Sequence, residues 1–338
     1  MTLCASVSVV HAFSVVPLKS LNTGYVPHHS QLLAGSFNAD YITEMETLST
    51  KLVGNFGHVS NISAIYTAVS FFQFVKKSEF ALTEKYMTNL VTSLKQQLSA
   101  LDVKGTYIIS DEGFNSALII PTLSLGKVYK TLVDSDPRLH ATLDWNVGTT
   151  HYYDPELTSE DEEFIEFPFK KLIVKSKFAV LTDRIASEEI DFDWTDAGPE
   201  LKANQWHEEI AANKDNNDDD SILLLDCRND YESEMGTFDS ATPLNTSYFS
   251  ESFDKIDELV ANKPKNTRIL TFCTGGIRCI KVNAYLKQKH KMTNIARLKK
   301  GIIAYEDWLE EDKEADEDEG DEFDMVEPKK ESLFKGEN

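Results

Sequence analysis

The chain has 338 residues, 41% of them hydrophobic, and 56 Asp and Glu against 34 Lys and Arg, for a formal net charge of −22. That length suits two domains with substantial cores, and the acidic balance argues against a nucleic-acid partner unless a basic patch is concentrated locally. The four cysteines, Cys4, Cys227, Cys273 and Cys279, form no C-x-x-C pair and no histidine cluster lies beside them, which argues against a disulfide framework and a zinc site; no apolar run is long enough to span a membrane.

Residues 1–40 read as a targeting presequence. One charged side chain, Lys19, precedes Asp40, and the segment opens with the short apolar stretch L-C-A-S-V-S-V-V-H-A-F-S-V-V-P. H-A-F-S-V-V-P resembles the cleavage region of two-part presequences in algae with secondary plastids, so a plastid location is one expectation. The alternatives are an unstructured N-terminus or a mitochondrial presequence, with a mitochondrial or cytoplasmic location.

Residues 40–55 are expected as a helix. From Ala64, A-I-Y-T-A-V-S-F-F-Q-F-V is β-rich and aromatic and reads as a strand. Across 79–101, Leu82, Tyr86, Leu90, Leu94 and Leu98 recur every four residues, which is one face of a helix. G-T-Y-I-I-S and A-L-I-I-P read as strands joined by the turn D-E-G-F-N-S. Residues 123–134 are helical, and 142–147 with 169–174 read as a last strand pair. The order strand, helix, strand, strand, helix, strand predicts a ferredoxin-like α+β domain over 60–180.

Residues 160–163 and 191–204 read as loops or linkers. S-I-L-L-L-D-C-R and R-I-L-T-F-C are unbroken apolar runs, as in strands buried on both faces of a parallel sheet. Helical character returns at 256–261 and 279–290, and R-L-K-K-G-I-I-A-Y-E-D-W reads as strand, turn and terminal helix. An α/β domain with a parallel sheet and flanking helices is therefore predicted over 185–310. Residues 310–324 hold eleven acids and one lysine, so 311–338 is expected to be an acidic disordered tail.

The chemistry concentrates in C-T-G-G-I-R-C, residues 273–279. Sites in open parallel sheets collect beyond the C-terminal strand ends, where both Asp226 and Cys273 are predicted to stand. Gly275 and Gly276 can adopt positive φ, so the amides of Thr274, Gly275, Gly276 and Ile277 can form a cradle at a helix N-terminus. With Arg278 adding positive charge, Cys273 is expected to be a thiolate and the nucleophile. The plainer reading is an inert buried cysteine; the glycines, the arginine and the strand-end position weigh against it. Cys279 is either a resolving thiol that closes on Cys273 or a small packing residue, and Cys227 reads as packing. Four residues separate Cys273 from Arg278, one fewer than in the C-x-x-x-x-x-R loop of cysteine phosphatases. The tighter loop suits a sulfur-sized or oxygen-sized adduct better than a phosphate.

L-L-L-D-C-R-N-D-Y-E-S-E-M-G-T-F and F-C-T-G-G-I-R-C-I-K-V-N-A-Y-L resemble the rhodanese domain, and more narrowly that of bacterial tRNA uridine hydroxylases. That family forms 5-hydroxyuridine at the tRNA wobble position with molecular oxygen. F-F-Q-F-V, V-K-G-T-Y-I-I-S-D-E-G-F-N-S and F-P-F-K-K-L-I-V-K-S-K resemble its N-terminal domain, so the resemblance spans residues 65–309. It implies a rhodanese-like fold, Cys273 as the essential cysteine, tRNA as partner and molecular oxygen as co-substrate. Asp226, Arg228 and Glu232 match the family's D-x-R-N-x-Y-E signature; their plainer reading is a network that fixes the strand-end loops. Glu112, Gly113 and Asn115 match an E-G-I-N-G turn, which either contacts substrate or is a hairpin turn alone.

There are departures. Cys227 stands where a small aliphatic residue is usual, and Ile280 where Glu is usual. Lys300 replaces the first glycine of a G-G-I, which is tolerated only if that backbone needs no positive φ. E-S-L-F-K-G-E-N resembles the start of a segment that continues, in the family, into a region with more cysteines; a short variant or an incomplete sequence is expected.

Three functions follow. The first is a tRNA-modifying oxygenase, its phosphate surface formed by Lys171, Lys175 and Lys177 on one face of a strand, extended by Arg297, Lys299 and Lys300; ordinary solvated lysines are the plainer reading. The second is a sulfurtransferase that takes sulfur from a small donor as a Cys273 persulfide. The third is a non-catalytic or redox-sensing module in which Cys273 and Cys279 cycle between dithiol and disulfide. No flavin, nicotinamide or metal fingerprint is evident in the sequence, and the oligomeric state leaves no mark there.

Overall fold

A computed structural model describes residues 38–57, 59, 61–76, 82–139, 143–154, 156–157, 166–185, 190–215, 222–318 and 332–336. The presequence assigned to 1–40 lies outside these residues except for its last three. The chain divides into two compact units, Met1–Val180 and Leu181–Asn338. No helix among the described residues is long and apolar enough to cross a membrane.

The first unit contains α1 (Asn38–Gly54), β1 (Ile65–Phe74), α2 (Glu84–Ala100), β2 (Lys104–Ser110), β3 (Gly113–Pro121), α3 (Leu125–Ser135), β4 (Asn146–Tyr152) and β5 (Leu172–Ser176). The sheet order is β4-β1-β3-β2-β5, and its first four strands form the ferredoxin-like split βαβ. Alternation along the strands sends Val69, Phe71, Tyr107, Ile109, Leu118 and Ile120 to the helix-covered face. Of the stripe expected from the four-residue spacing, Leu90, Leu94 and Leu98 are buried, joined by Met87, whereas Leu82 precedes the helix and Tyr86 is partly buried; Thr83 caps the helix by accepting the Tyr86 N–H. The other sheet face holds Tyr66, Ala68, Ile119 and Tyr153 under Phe167 and Phe169.

Two details differ from the sequence reading. The β2–β3 turn is only Asp111 and Glu112, because Ser110 already pairs with Gly113. The last two strands do not pair with each other. β4 joins β1 antiparallel at one edge, and β5 joins β2 in parallel at the opposite edge.

The second unit contains β6 (Glu200–Leu201), α4 (Ala203–Asp215), β7 (Ile222–Asp226), α5 (Asp230–Met235), β8 (Gly236–Phe238), β9 (Thr242–Pro243), α6 (Ser252–Val260), β10 (Arg268–Phe272), α7 (Ile277–Gln288), β11 (Ile295–Leu298), α8 (Gly301–Asp318) and β12 (Phe334–Gly336). Its main sheet is parallel throughout, in the order β6-β11-β10-β7-β9. The apolar runs in β7 and β10 are buried because helices cover both faces. The segment read as a linker up to residue 204 already holds β6 and the start of α4, whose Trp206 and Ile210 are buried.

The region expected as an acidic disordered tail is partly structured. α8 runs through its start, and β12 pairs antiparallel with β8. Phe334 stacks edge-on against Phe238, and the Leu333 N–H donates to the Tyr305 hydroxyl. Partial burial of Leu333 and Phe334 against the core offsets part of the cost of ordering the segment.

Candidate active site

β7 and β10 are parallel neighbours in register, with Asp226 opposite Phe272. Both strands therefore release their loops at the same edge, and the Cys227 N–H donates to the Phe272 carbonyl at 2.9 Å. Cys273 begins the second loop, which runs to Gly276 before α7. Gly276 has φ of 93°, a left-handed value that turns the chain into the helix. Gly275 needs no such conformation and has nothing near the position of a Cβ. The expected pair of positive-φ glycines is thus a single one.

The loop carbonyls are held from behind by the first turn of α8. Ile302 N–H donates to the Cys273 carbonyl at 3.0 Å and Ile303 N–H to that of Thr274 at 3.3 Å. Gly301, at φ of 70°, makes this approach possible: a Cβ there would lie 2.3 Å from both carbonyl oxygens. On the other side, the Gly276 N–H donates to Cys273 Sγ at 3.1 Å, and the Cys279 amide also bonds the sulfur. The Gly276 and Cys279 amides therefore both face the sulfur.

Cys273 is fully buried, an environment that opposes the expected thiolate. Burial pushes the thiol well above the ordinary cysteine range, and the Cys279 thiol adds to the rise, while Arg278 and the Cys279 amide only partly oppose it. Arg278 bonds Cys273 but shares its charge with Glu232. Its Nη1 donates to Glu232 Oε2 at 2.5 Å and its Nη2 to Glu232 Oε1 at 2.7 Å, with a further bond to Thr274 Oγ1 at 3.0 Å. Thr274 Oγ in turn donates to Glu232 Oε1 at 2.6 Å. Burial opposes the Glu232 charge, but Arg278, Thr274 and the Asn229 amide outweigh it and hold the carboxyl below its usual range. The charges of this bidentate pair largely cancel one another.

Asp226, Arg228 and Glu232, read from the sequence as one network, fall into two. Asp226 pairs with Arg228 at 2.7 Å and accepts the hydroxyls of Ser233 and Thr237. Arg228 also donates to the Gly236 carbonyl and lies over Phe272 and Phe334. These two hold the strand-end loop and β12 in place. Glu232 belongs instead with Arg278 and Thr274 beside the thiol.

All three described cysteines are free and buried. The Cys279 thiol is hydrogen-bonded to both Cys273 and Cys227, so the three sulfurs form a contiguous row. α7 is fixed behind the loop by Thr271 Oγ1 donating to Asn283 at 2.8 Å. It is also fixed by the fully buried Lys281, which bonds Asp183 and the Leu181 carbonyl and lies over Trp194.

The remaining sequence candidates lie elsewhere. Lys171, Lys175 and Lys177 are on or beside β5 of the first unit, at alternate positions opposite in parity to buried Val174. Arg297 lies in the second unit and donates to the carbonyls of Ala197 and Gly198 and to Glu200. Glu112 and Asn115 hold the strand-exit segment, through the Val180 N–H at 2.8 Å and the Val180 carbonyl at 3.4 Å. Lys300 overturns the expectation about its backbone, since it sits at φ of 59° and carries a side chain where glycine is unstrained. Gly301 was missed because its requirement comes from carbonyls far away in sequence. Among the described residues, no group of three or more His, Cys, Asp or Glu is placed to hold a metal ion.

The chain matches two domain families, the UPF0176 acylphosphatase like domain over residues 66–180 and the rhodanese-like domain over residues 207–310. Curated relatives named tRNA uridine(34) hydroxylase include those of Legionella pneumophila strains Lens and Corby, 30% and 29% identical over 237 residues, which cover 70% of this chain and 79% of each relative. One from Acaryochloris marina (strain MBIC 11017) is 28% identical over 251 residues, 73% of this chain and 68% of the relative. With both domains present in one order and the similarity running through them, this chain belongs to the tRNA uridine(34) hydroxylase family.

Proposed function

We propose that this protein hydroxylates C5 of the wobble uridine of tRNA, with Cys273 as the reacting side chain and molecular oxygen as co-substrate. The observation that carries the reading is the Cys273 sulfur at the C-terminal strand edge, with the Gly276 and Cys279 amides aimed at it. Two N–H dipoles in a water-poor loop stabilise negative charge on sulfur as the thiol gives up its proton. Glu232 accepts from both Arg278 and Thr274 and so holds them in one geometry around that atom.

Inserting one oxygen atom into a C5–H bond leaves the second to be reduced to water, so each turnover needs two electrons. A dithiol going to disulfide supplies two, and Cys273 with Cys279 is such a pair in contact. Sulfur transfer through a Cys273 persulfide is the second reading, favoured by the match to the rhodanese-like domain over residues 207–310.

The test is mass spectrometry of tRNA nucleosides from cells lacking the activity, complemented with the full chain or with Cys273→Ser. The expected result is 5-hydroxyuridine that returns with the intact chain and not with the variant. Failure to return, together with thiosulfate-dependent sulfur transfer by the purified protein, would establish the second reading instead.

A further inference from the structure

We infer that Cys227 is a third redox thiol, which takes the disulfide over from Cys273 and returns the Cys273 sulfur to a free thiol. The inference rests on the function proposed above, in which Cys273 and Cys279 give up two electrons together, and adds a step that follows it.

The sheet brings the three cysteines together. β7 and β10 stay in register to their last residues, Asp226 and Phe272, and the Cys227 N–H donates to the Phe272 carbonyl at 2.9 Å. Cys227 and Cys273 therefore leave neighbouring parallel strands side by side. Cys279 comes from the first turn of α7, and its thiol bonds both of the others. It is the middle sulfur of the row, the one common to a Cys273–Cys279 and a Cys227–Cys279 disulfide. Sulfurs already in contact have only to close to about 2.05 Å for a bond to form. All three side chains are buried, at 1% exposure or less, so the exchange is internal to the protein. A small aliphatic side chain at 227 would fill the same space, but it would place no nucleophile against Cys279.

The step balances without a co-reactant. Cys227 sulfur attacks Cys279 sulfur of the Cys273–Cys279 disulfide. The Cys227–Cys279 bond forms, the Cys273–Cys279 bond breaks, and its electron pair stays on Cys273, which takes the proton that Cys227 gives up. No sulfur is oxidised or reduced overall. The surroundings of Cys273 favour its departure, because a stabilised thiolate leaves faster. The Gly276 N–H lies 3.1 Å from its sulfur, and the Cys279 amide and Arg278 also bond it. The reacting sulfur is thus regenerated before any outside reductant acts, while the oxidising equivalents are held on Cys227 and Cys279. A thiol reductant is then needed to reset that pair and not to free Cys273.

The experiment uses the full chain carrying Cys4→Ser, so that the fourth cysteine cannot exchange. Stoichiometric hydrogen peroxide takes two thiols to a disulfide and two waters; free thiols are then blocked with N-ethylmaleimide at timed intervals and the links mapped by mass spectrometry. Trypsin, cutting after Lys214, Arg228, Arg268, Arg278 and Lys281, puts each of the three cysteines on its own peptide. The expected course is a Cys273–Cys279 link that appears first and gives way to Cys227–Cys279, with the Cys273 thiol recovered. In Cys227→Val the first link should persist and the Cys273 thiol stay lost. Cys227→Ser, close to cysteine in size, should behave in the same way, which separates loss of the thiol from loss of packing. A parent chain that stops at Cys273–Cys279, or forms no link among the three, overturns the inference. So does a Cys227–Cys279 link that forms as fast in Cys273→Ser, since the disulfide would then not have come from Cys273. Wobble-uridine hydroxylation is measured on the same parent chain. If it is absent while the link moves to Cys227, the functional reading falls and the exchange stands; if it is present while the link stays on Cys273, the functional reading stands and the exchange falls.

Discussion

Replacing Glu232 with glutamine tests the electrostatic account of the thiol. The substitution keeps the side-chain shape and one acceptor for Arg278, but removes the negative charge and turns the second oxygen into a donor facing the guanidinium. In the native protein both groups are nearly fully buried and bonded twice, at 2.5 and 2.7 Å. Breaking one partner of such a pair costs about 3–5 kcal/mol, because a buried charge is left uncompensated. The consequence for Cys273 has the opposite sign. With Glu232 neutralised, the full Arg278 charge acts on the sulfur, and the thiol moves down toward the ordinary range; each unit of that movement raises the thiolate fraction about tenfold at a pH below the pKa. The assay is the pH profile of iodoacetamide labelling at Cys273, read by peptide mass spectrometry. Wild type should show its inflection above the usual cysteine value, and Glu232→Gln a lower one with faster labelling at neutral pH. Cys227 and Cys279, as buried as Cys273, report unfolding in the same sample: labelling that rises equally at all three marks loss of the fold, and labelling that rises at Cys273 alone marks a change at its thiol. An unchanged or upward-shifted profile with those two protected would refute the claim that Glu232 spends the arginine's charge.

Gly301→Ala should destabilise the protein by about 2–5 kcal/mol in urea unfolding, from the left-handed Cβ penalty and the loss of the α8 bonds to the loop carbonyls. Gly275→Ala, with open space at its Cβ, should stay within about 0.5 kcal/mol of wild type, so equal losses in both variants would contradict the geometry. Lys300→Gly should stabilise by about 0.5–1 kcal/mol, since relief of a left-handed penalty of about 1–2 kcal/mol exceeds the extra unfolded-state freedom of glycine; a net loss would contradict it. Cys273 and Cys279 are both raised in the folded state, so their contribution is fully present below the unfolded thiol value of about 8.5 and fades as pH rises beyond it. Thermal unfolding between neutral and alkaline pH should show that loss, and Cys273→Ser should reduce it.

The parts of the fold legible in the sequence are those whose signal is local. Unbroken apolar runs marked β7 and β10 because both faces of a parallel strand are covered, and the four-residue spacing marked α2. The strand-loop-helix around Cys273 followed from a cysteine after an apolar run and a Gly-Gly before a helical pattern. α4 escaped notice because its buried stripe is thin, Trp206 and Ile210 in a mostly polar segment. β12 was hidden by the acidic run before it, since its ordering depends on Phe238 and Tyr305 rather than on its own composition.

What the sequence could not convey about the site is which charges cancel. C-T-G-G-I-R-C places an arginine near a cysteine at a helix N-terminus, and that local chemistry alone favours a thiolate. The partner that neutralises the arginine is 46 residues away, and the burial that raises the thiol comes from packing of whole elements. A local motif therefore located the candidate cysteine, while the charges and burial around it are set by contacts between segments distant in sequence.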